Sequence, residues 1–176
     1  MNAIEDTRHW LEAAVIGLDL CPFAKGAHAK GRIRWVESAA HEPSALLADL
    51  VHELQHLAAA DPQAVETTLL VHPLVLGDFL EFNDFLDIAD AALAELGLEG
   101  TLQIASFHPQ YRFADADADD IANHTNRSPH PTLHLLRESG IERALASVPD
   151  AADIYERNIR TLRRLGLAGW QALLAR

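Results

Sequence analysis

The chain has 176 residues, 49% of them hydrophobic, which is one domain's worth with an ordinary core. Its formal charge of -12 opposes contact with nucleic acid or an anionic membrane, and no apolar run reaches the roughly 18 residues of a membrane span. The start, MNAIEDTRHW, lacks a signal-peptide pattern, and the single cysteine, Cys21, has no internal partner; both predict a reducing, cytoplasmic setting.

Ile4, Leu11, Val15 and Leu18 lie close to one helical stripe, which predicts a first helix over residues 2–18. DLCPFAKGAHAKG follows, too broken by Pro22, Gly26 and Gly31 for a full helix. RIRWVES, Arg32 to Ser38, alternates as a strand. A helix opens at Pro43 and runs to about Ala60, where Asp61-Pro62 stops it. VETTLLVHP is a second strand of the type buried on both faces. Asp78 and Glu81 predict a capping box for a helix to about Leu98, and TLQIASFHP, Thr101 to Pro109, is a third strand. Beyond a polar loop, PTLHLLRESG, GIERALASVPD and AADIYERNIRTLRRLGLAGWQALL have a helical pattern. The expectation is a single α/β domain over residues 1–176. It has a small parallel sheet of about three strands (βαβαβ) flanked by helices, with a helical C-terminal third.

His52-Glu53-Leu54-Gln55-His56 spells H-E-x-x-H, the helical zinc motif of metallopeptidases. On a wheel, Leu46, Leu47, Leu50, Val51, Leu54, Leu57 and Ala58 fill one arc about 140° wide, with His52 and His56 projecting opposite. A third ligand from Glu66, His72 or Glu81 has no spacing to recommend it. A solvated polar face explains the motif better, and zinc peptidase stands as an alternative only. DADADD, Asp115 to Asp120, starts like a calcium loop. It has Asp120 where glycine is needed and Asn126 where the closing glutamate is needed, so a turn into a short helix accounts for it.

Parallel sheets bind ligands beyond the carboxyl ends of their strands. The second strand ends in His72-Pro73 and the third in His108-Pro109. On neighbouring strands the two imidazoles would share an edge, and with it a substrate or a divalent metal. The next stretch is dense in hydrogen-bonding groups: Tyr111, Arg112, Asn123, Asn126, Arg127, Ser128 and His130. The expected site has His108 as general acid or base. Arg112 and Arg127 bind an anion, while Tyr111, Asn123, Asn126, Ser128 and His130 orient it. The competing use of the arginines is to neutralise Asp115, Asp117, Asp119 and Asp120.

Cys21 in LCPFA resembles the cysteine of glutaredoxin-like and glutathione-transferase motifs locally, but here a helix precedes it instead of a strand. With Pro22 at a first helical position, Cys21 would stand at a helix N-terminus, which favours a thiolate nucleophile or soft ligand; an inert buried thiol is the other reading.

GLDLCPFAKG, FHPQYRF, NRSPHPTLHLLRE and IYERNIRTLRRLG together resemble an uncharacterised bacterial family, a domain of unknown function, from about Trp10 to Trp170. The resemblance implies no particular activity, and the H-E-x-x-H helix is not among its motifs. The function expected from the residues is an enzyme or binding protein for a small anionic molecule. A non-enzymatic protein-interaction domain with an acidic surface is the further alternative.

Overall fold

Alternating and continuous apolar runs become strands where the sequence predicts them. β1 spans Ile33–Glu37, β2 Thr67–Val71 and β3 Leu102–Phe107 in this computed structural model, which describes residues 2–146 and 151–175. Helix α1, Ala3–Trp10, starts at a capping box between Asn2 and Glu5, then loosens into a π-helical stretch over Leu11–Ile16. The cysteine segment forms a helix after all: α2 covers Pro22–Ala29, with Cys21 as its N-cap and Pro22 at its first turn. Gly26 lowers its propensity without breaking it, because Phe23, Ala24 and Ala27 bury one face. Helix α3, Pro43–Ala59, joins β1 to β2, and α4, Phe79–Glu95, follows β2. The Asp78 carboxylate accepts from the Leu80 and Glu81 N–H groups at 2.8 and 3.1 Å and fixes where α4 begins.

The sheet corrects the expectation of about three parallel strands. It has four, in the order β1-β2-β4-β3, and it is mixed. The fourth, β4, is Thr132–Arg137, inside the PTLHLLRESG segment that has a helical pattern in sequence. All six of its residues are buried because it lies centrally, under helices on both faces. Its leucines therefore run together instead of alternating with polar residues, and such a run does not distinguish strand from helix. β1 and β2 pair in parallel, whereas β4 runs antiparallel to both β2 and β3. β2 and β3 are thus not neighbours. The C-terminal third is helical only after β4, as α5, Glu138–Leu145, and α6, Ala151–Leu174. Gly166, at φ 70°, kinks α6 in a conformation open to glycine and strained for other residues. The end of GIERALASVPD, residues 147–150, lies outside the described residues.

Side-chain alternation along the strands feeds two layers. One face carries Leu70, Leu133 and Leu135 against Leu46, Leu50, Leu54 and Leu57 of α3 and Phe82, Phe85 and Ala89 of α4. The other carries Leu69 against Trp10, Leu11, Val15, Leu162 and Trp170. No helix of the described residues is long and apolar enough to cross a membrane.

Candidate functional site

Between β3 and β4 the chain crosses the sheet edge where β1, β2 and β3 end, as a loop over residues 108–131 containing a 3-10 helix, Ile121–Asn126. Two histidines lie beneath it. His108 has no exposed surface; its Nδ1 accepts the Gln110 N–H at 3.0 Å, so Nε2 carries the proton and donates to the Leu76 carbonyl at 3.0 Å. Leu76 sits at φ 61°, a strained conformation for a branched residue, and this bond helps hold it. His72, also without exposed surface, donates from Nδ1 to the Val75 carbonyl at 3.1 Å and keeps Nε2 unpartnered. Burial lowers the His108 pKa and pushes that of His72 down to about 4, so both rings are neutral at pH 7. The Phe82 ring lies against both imidazoles, with centroids 5.7 Å from His72 and 5.0 Å from His108. Although β4 separates their strands, the two histidines do share this buried cluster. What they do there is pin the 73–78 turn, and neither ring offers a solvent-facing atom to a substrate or metal. Among the described residues no group of three or more His, Cys, Asp or Glu is placed to hold a metal ion.

The polar residues of the loop chiefly organise its backbone. Asn123, fully buried, accepts the Phe113 N–H at 3.0 Å and donates to the Asp117 carbonyl at 2.8 Å. Asn126 donates to the Ser106 carbonyl at 3.1 Å, tying the loop to β3. Ser128 Oγ donates to the His130 carbonyl at 2.6 Å, and His130 Nε2 lies 3.0 Å from the Asp6 carboxylate on α1. Tyr111 is half-buried and stacks edge-on between Phe79 and Phe113, and desolvation raises its pKa. Arg112 is exposed and donates from Nε to the Ala116 carbonyl. Arg127 is half-buried; its Nε donates to the Tyr111 carbonyl at 2.9 Å and its Nη2 to that of Ala118 at 2.7 Å. Neither arginine forms an ion pair with a carboxylate of the described residues: the acidic segment offers them backbone oxygens instead.

Two clefts meet at Arg127 and Pro109. The outer one, about 450 Å³, is walled by Asp78, Phe79, Leu80, Gln110, Arg112 and Ala118. The inner one, about 300 Å³, lies between α1, the 3-10 helix and the end of α6, and is walled by Asp6, His9, Trp10, His124, Ser128, Pro129, Trp170 and Leu174. The His124 ring stands edge-on to Trp170 at 5.3 Å. Its pKa is lowered by burial first and by the Arg127 charge second, while the nearby Ile121 carbonyl, outside hydrogen-bond geometry to the ring, acts the other way. Three ring nitrogens of this wall, His9 Nε2, Trp10 Nε1 and His124 Nδ1, are out of solvent without a hydrogen-bond partner. Sequence reasoning passed over Asp6, His9, Trp10, His124 and Trp170. His124 had a signal, since it lies between Asn123 and Asn126, but the other four belong to terminal helices whose meeting is a tertiary event.

Residues 2–172 match the family described as protein of unknown function (DUF1415). The chain belongs to this family. No curated protein and no solved structure matches the chain.

The remaining motifs lie away from these clefts. In H-E-x-x-H, His52 is 73% exposed, but Glu53 is buried, with its carboxylate held by the Arg34 guanidinium. Glu53 thus belongs to an ion pair between α3 and β1, and His56 is half-buried with Nδ1 unpartnered. The acidic run ends with Asp120 capping the 3-10 helix through the Ala122 N–H at 2.9 Å. Cys21 is partly buried at the N-terminus of α2. Desolvation raises its pKa and outweighs the Ala24 and Phe23 N–H groups, which act to lower it, so the sulfur is a thiol at pH 7.

Proposed function

We propose that this protein binds a small anionic molecule at the sheet edge, with Arg127 as the principal cationic contact and Arg112 as a second one on the outer side. One observation carries the reading. In a chain with 26 acidic and 14 basic residues, Arg127 is half-buried, fixed by two carbonyls and unpaired with any carboxylate of the described residues, at the junction of two clefts. A guanidinium held this way is pre-oriented for an anion. In place of orienting the anion directly, Asn123, Asn126, Ser128 and His130 shape the loop that carries Arg127. His108 acts as a positioning residue, through the Leu76 carbonyl and the Gln110 N–H. The reading keeps the cytoplasmic setting, supported by the lone cysteine, and excludes nucleic acid as a partner on the charge of -12.

Calorimetric titration with acetate and with inorganic phosphate at low ionic strength tests it. Arg127→Gln is expected to weaken the binding of whichever anion the protein takes by about 1.5–3 kcal/mol, the range for a charge-assisted hydrogen bond. Arg112, exposed and free to move, contributes less. Equal anion binding by the wild type and Arg127→Gln, or none by the wild type, removes the proposal.

A further inference from the structure

We infer that the ligand held at Arg127 is a monocarboxylate with a planar, apolar body, and that this body occupies the inner cleft. The inference rests on the anion-binding reading of Arg127 and adds the chemical class and the cleft used.

The charge follows from what is already engaged. Arg127 has spent Nε and one bond from Nη2 on carbonyls, and Nη1 makes no hydrogen bond with the described residues. His124 is held neutral by burial and by Arg127 itself, so it adds no second positive charge. At the rim the Asp6 carboxylate, 3.0 Å from His130, opposes a second negative one. One free guanidinium edge and one uncompensated charge suit a carboxylate better than a phosphate dianion.

The body follows from the walls. Trp10 and Trp170, 1% and 5% exposed, back the cleft, and Pro109, Pro129 and Leu174 close it with apolar atoms. A volume of about 300 Å³ is at the small end of ordinary ligand pockets.

The unpartnered nitrogens choose between the clefts. Trp10 is 1% exposed and His124 9% exposed, yet Trp10 Nε1 and His124 Nδ1 have no partner, nor does His9 Nε2. Buried polar atoms are normally paired, and an indole N–H can only donate, so it requires an acceptor. A carboxylate brings two acceptor oxygens, and a small shift of these rings would turn the nitrogens to meet them. The outer cleft has no such unpartnered atom among its residues.

The test is a titration with benzoate, acetate, benzamide and inorganic phosphate at low ionic strength, followed by tryptophan fluorescence and calorimetry. Benzoate is expected to change the tryptophan emission and to bind at least about tenfold more tightly than acetate, benzamide or phosphate. Trp10→Phe, which removes the N–H together with part of the indole, should weaken benzoate and acetate alike by about fivefold, because both present the carboxylate to that donor. His124→Gln makes the same comparison should Trp10→Phe not fold, and the wild-type series needs no variant. If acetate and phosphate bind through Arg127 but benzoate binds no better, the inference falls and the anion-binding reading stands. If no anion binds, both fall. Benzoate binding that is lost in Arg112→Gln but untouched by Trp10→Phe and His124→Gln puts the body in the outer cleft and overturns the inference.

Discussion

Arg34 on β1 grips Glu53 on α3 with two hydrogen bonds, Nε to Oε2 at 2.8 Å and Nη2 to Oε1 at 3.2 Å. The glutamate that makes the zinc motif look catalytic is thus a structural anion whose lone pairs are taken by a guanidinium fork. Arg34 is already 35% exposed with Glu53 in place, so water can solvate its charge once the glutamate is gone and the penalty is moderated. Glu53→Ala is expected to cost about 1–3 kcal/mol in urea unfolding, whereas His52→Ala, on a solvated side chain, changes stability by no more than about 0.5 kcal/mol. A neutral Glu53→Ala, or a costly His52→Ala, would contradict the geometry.

Stability should fall in mild acid because of two interior imidazoles. His72 and His134 both have pKa values lowered by burial from 6.5 to about 4. His134 lies in β4 and donates from Nε2 to Thr67 Oγ1, 2.8 Å away, because that hydroxyl gives its own proton to the Leu135 carbonyl. Between pH 6.5 and 4 the unfolded chain takes up protons that the folded chain refuses, so unfolding becomes easier as pH drops; above pH 6.5 neither group contributes a slope. Each histidine is worth about 3 kcal/mol across that interval, a large share of an ordinary domain's stability. Denaturant midpoints measured from pH 7.5 to 4.5 check this. His134→Gln, which retains a donor for Thr67, should remove about half of the slope attributed to the pair; a flat profile in the wild type refutes the assignment.

Cys21 should behave as a sluggish thiol. Burial outweighs the helix N–H groups that would stabilise the thiolate, so less of it is ionised at neutral pH than of a free cysteine. Iodoacetamide at pH 7.5 should label the native protein more slowly than it labels glutathione, and unfolding should remove the difference. Native labelling faster than glutathione would restore the nucleophile.

Two glycines should respond in opposite directions to alanine. In α5, a Cβ on Gly140 would meet Phe23 Cε2 at 2.7 Å, within a packed contact to α2. Overpacking there should cost about 1–3 kcal/mol. Gly26 lies within α2 with nothing within 4 Å of its Cβ position, and alanine there should stabilise by about 0.5–1 kcal/mol through helix propensity. The pair of melting temperatures, one lowered and one raised, checks the α2–α5 packing without reference to function.

The sequence by itself determined the elements with local signals: the strands at residues 33–37, 67–71 and 102–107, the helix starting at Pro43, and the one capped by Asp78. It also singled out the 108–131 loop and the arginines in it by their crowding of polar side chains beyond a strand end, although most of those side chains bond the loop's own backbone. Only the tertiary structure decided that Thr132–Arg137 is a strand, because a segment buried on both faces loses the alternation that marks one. That same insertion separates β2 from β3 and leaves His72 and His108 to pin a turn. The inner cleft was equally out of reach. Its walls come from residues 6–10, 109, 124–129 and 170–174, which no local pattern relates. They meet only because both terminal helices bury their apolar faces on one side of the sheet, and burial of apolar area carries no mark in the sequence of which distant partner will provide it.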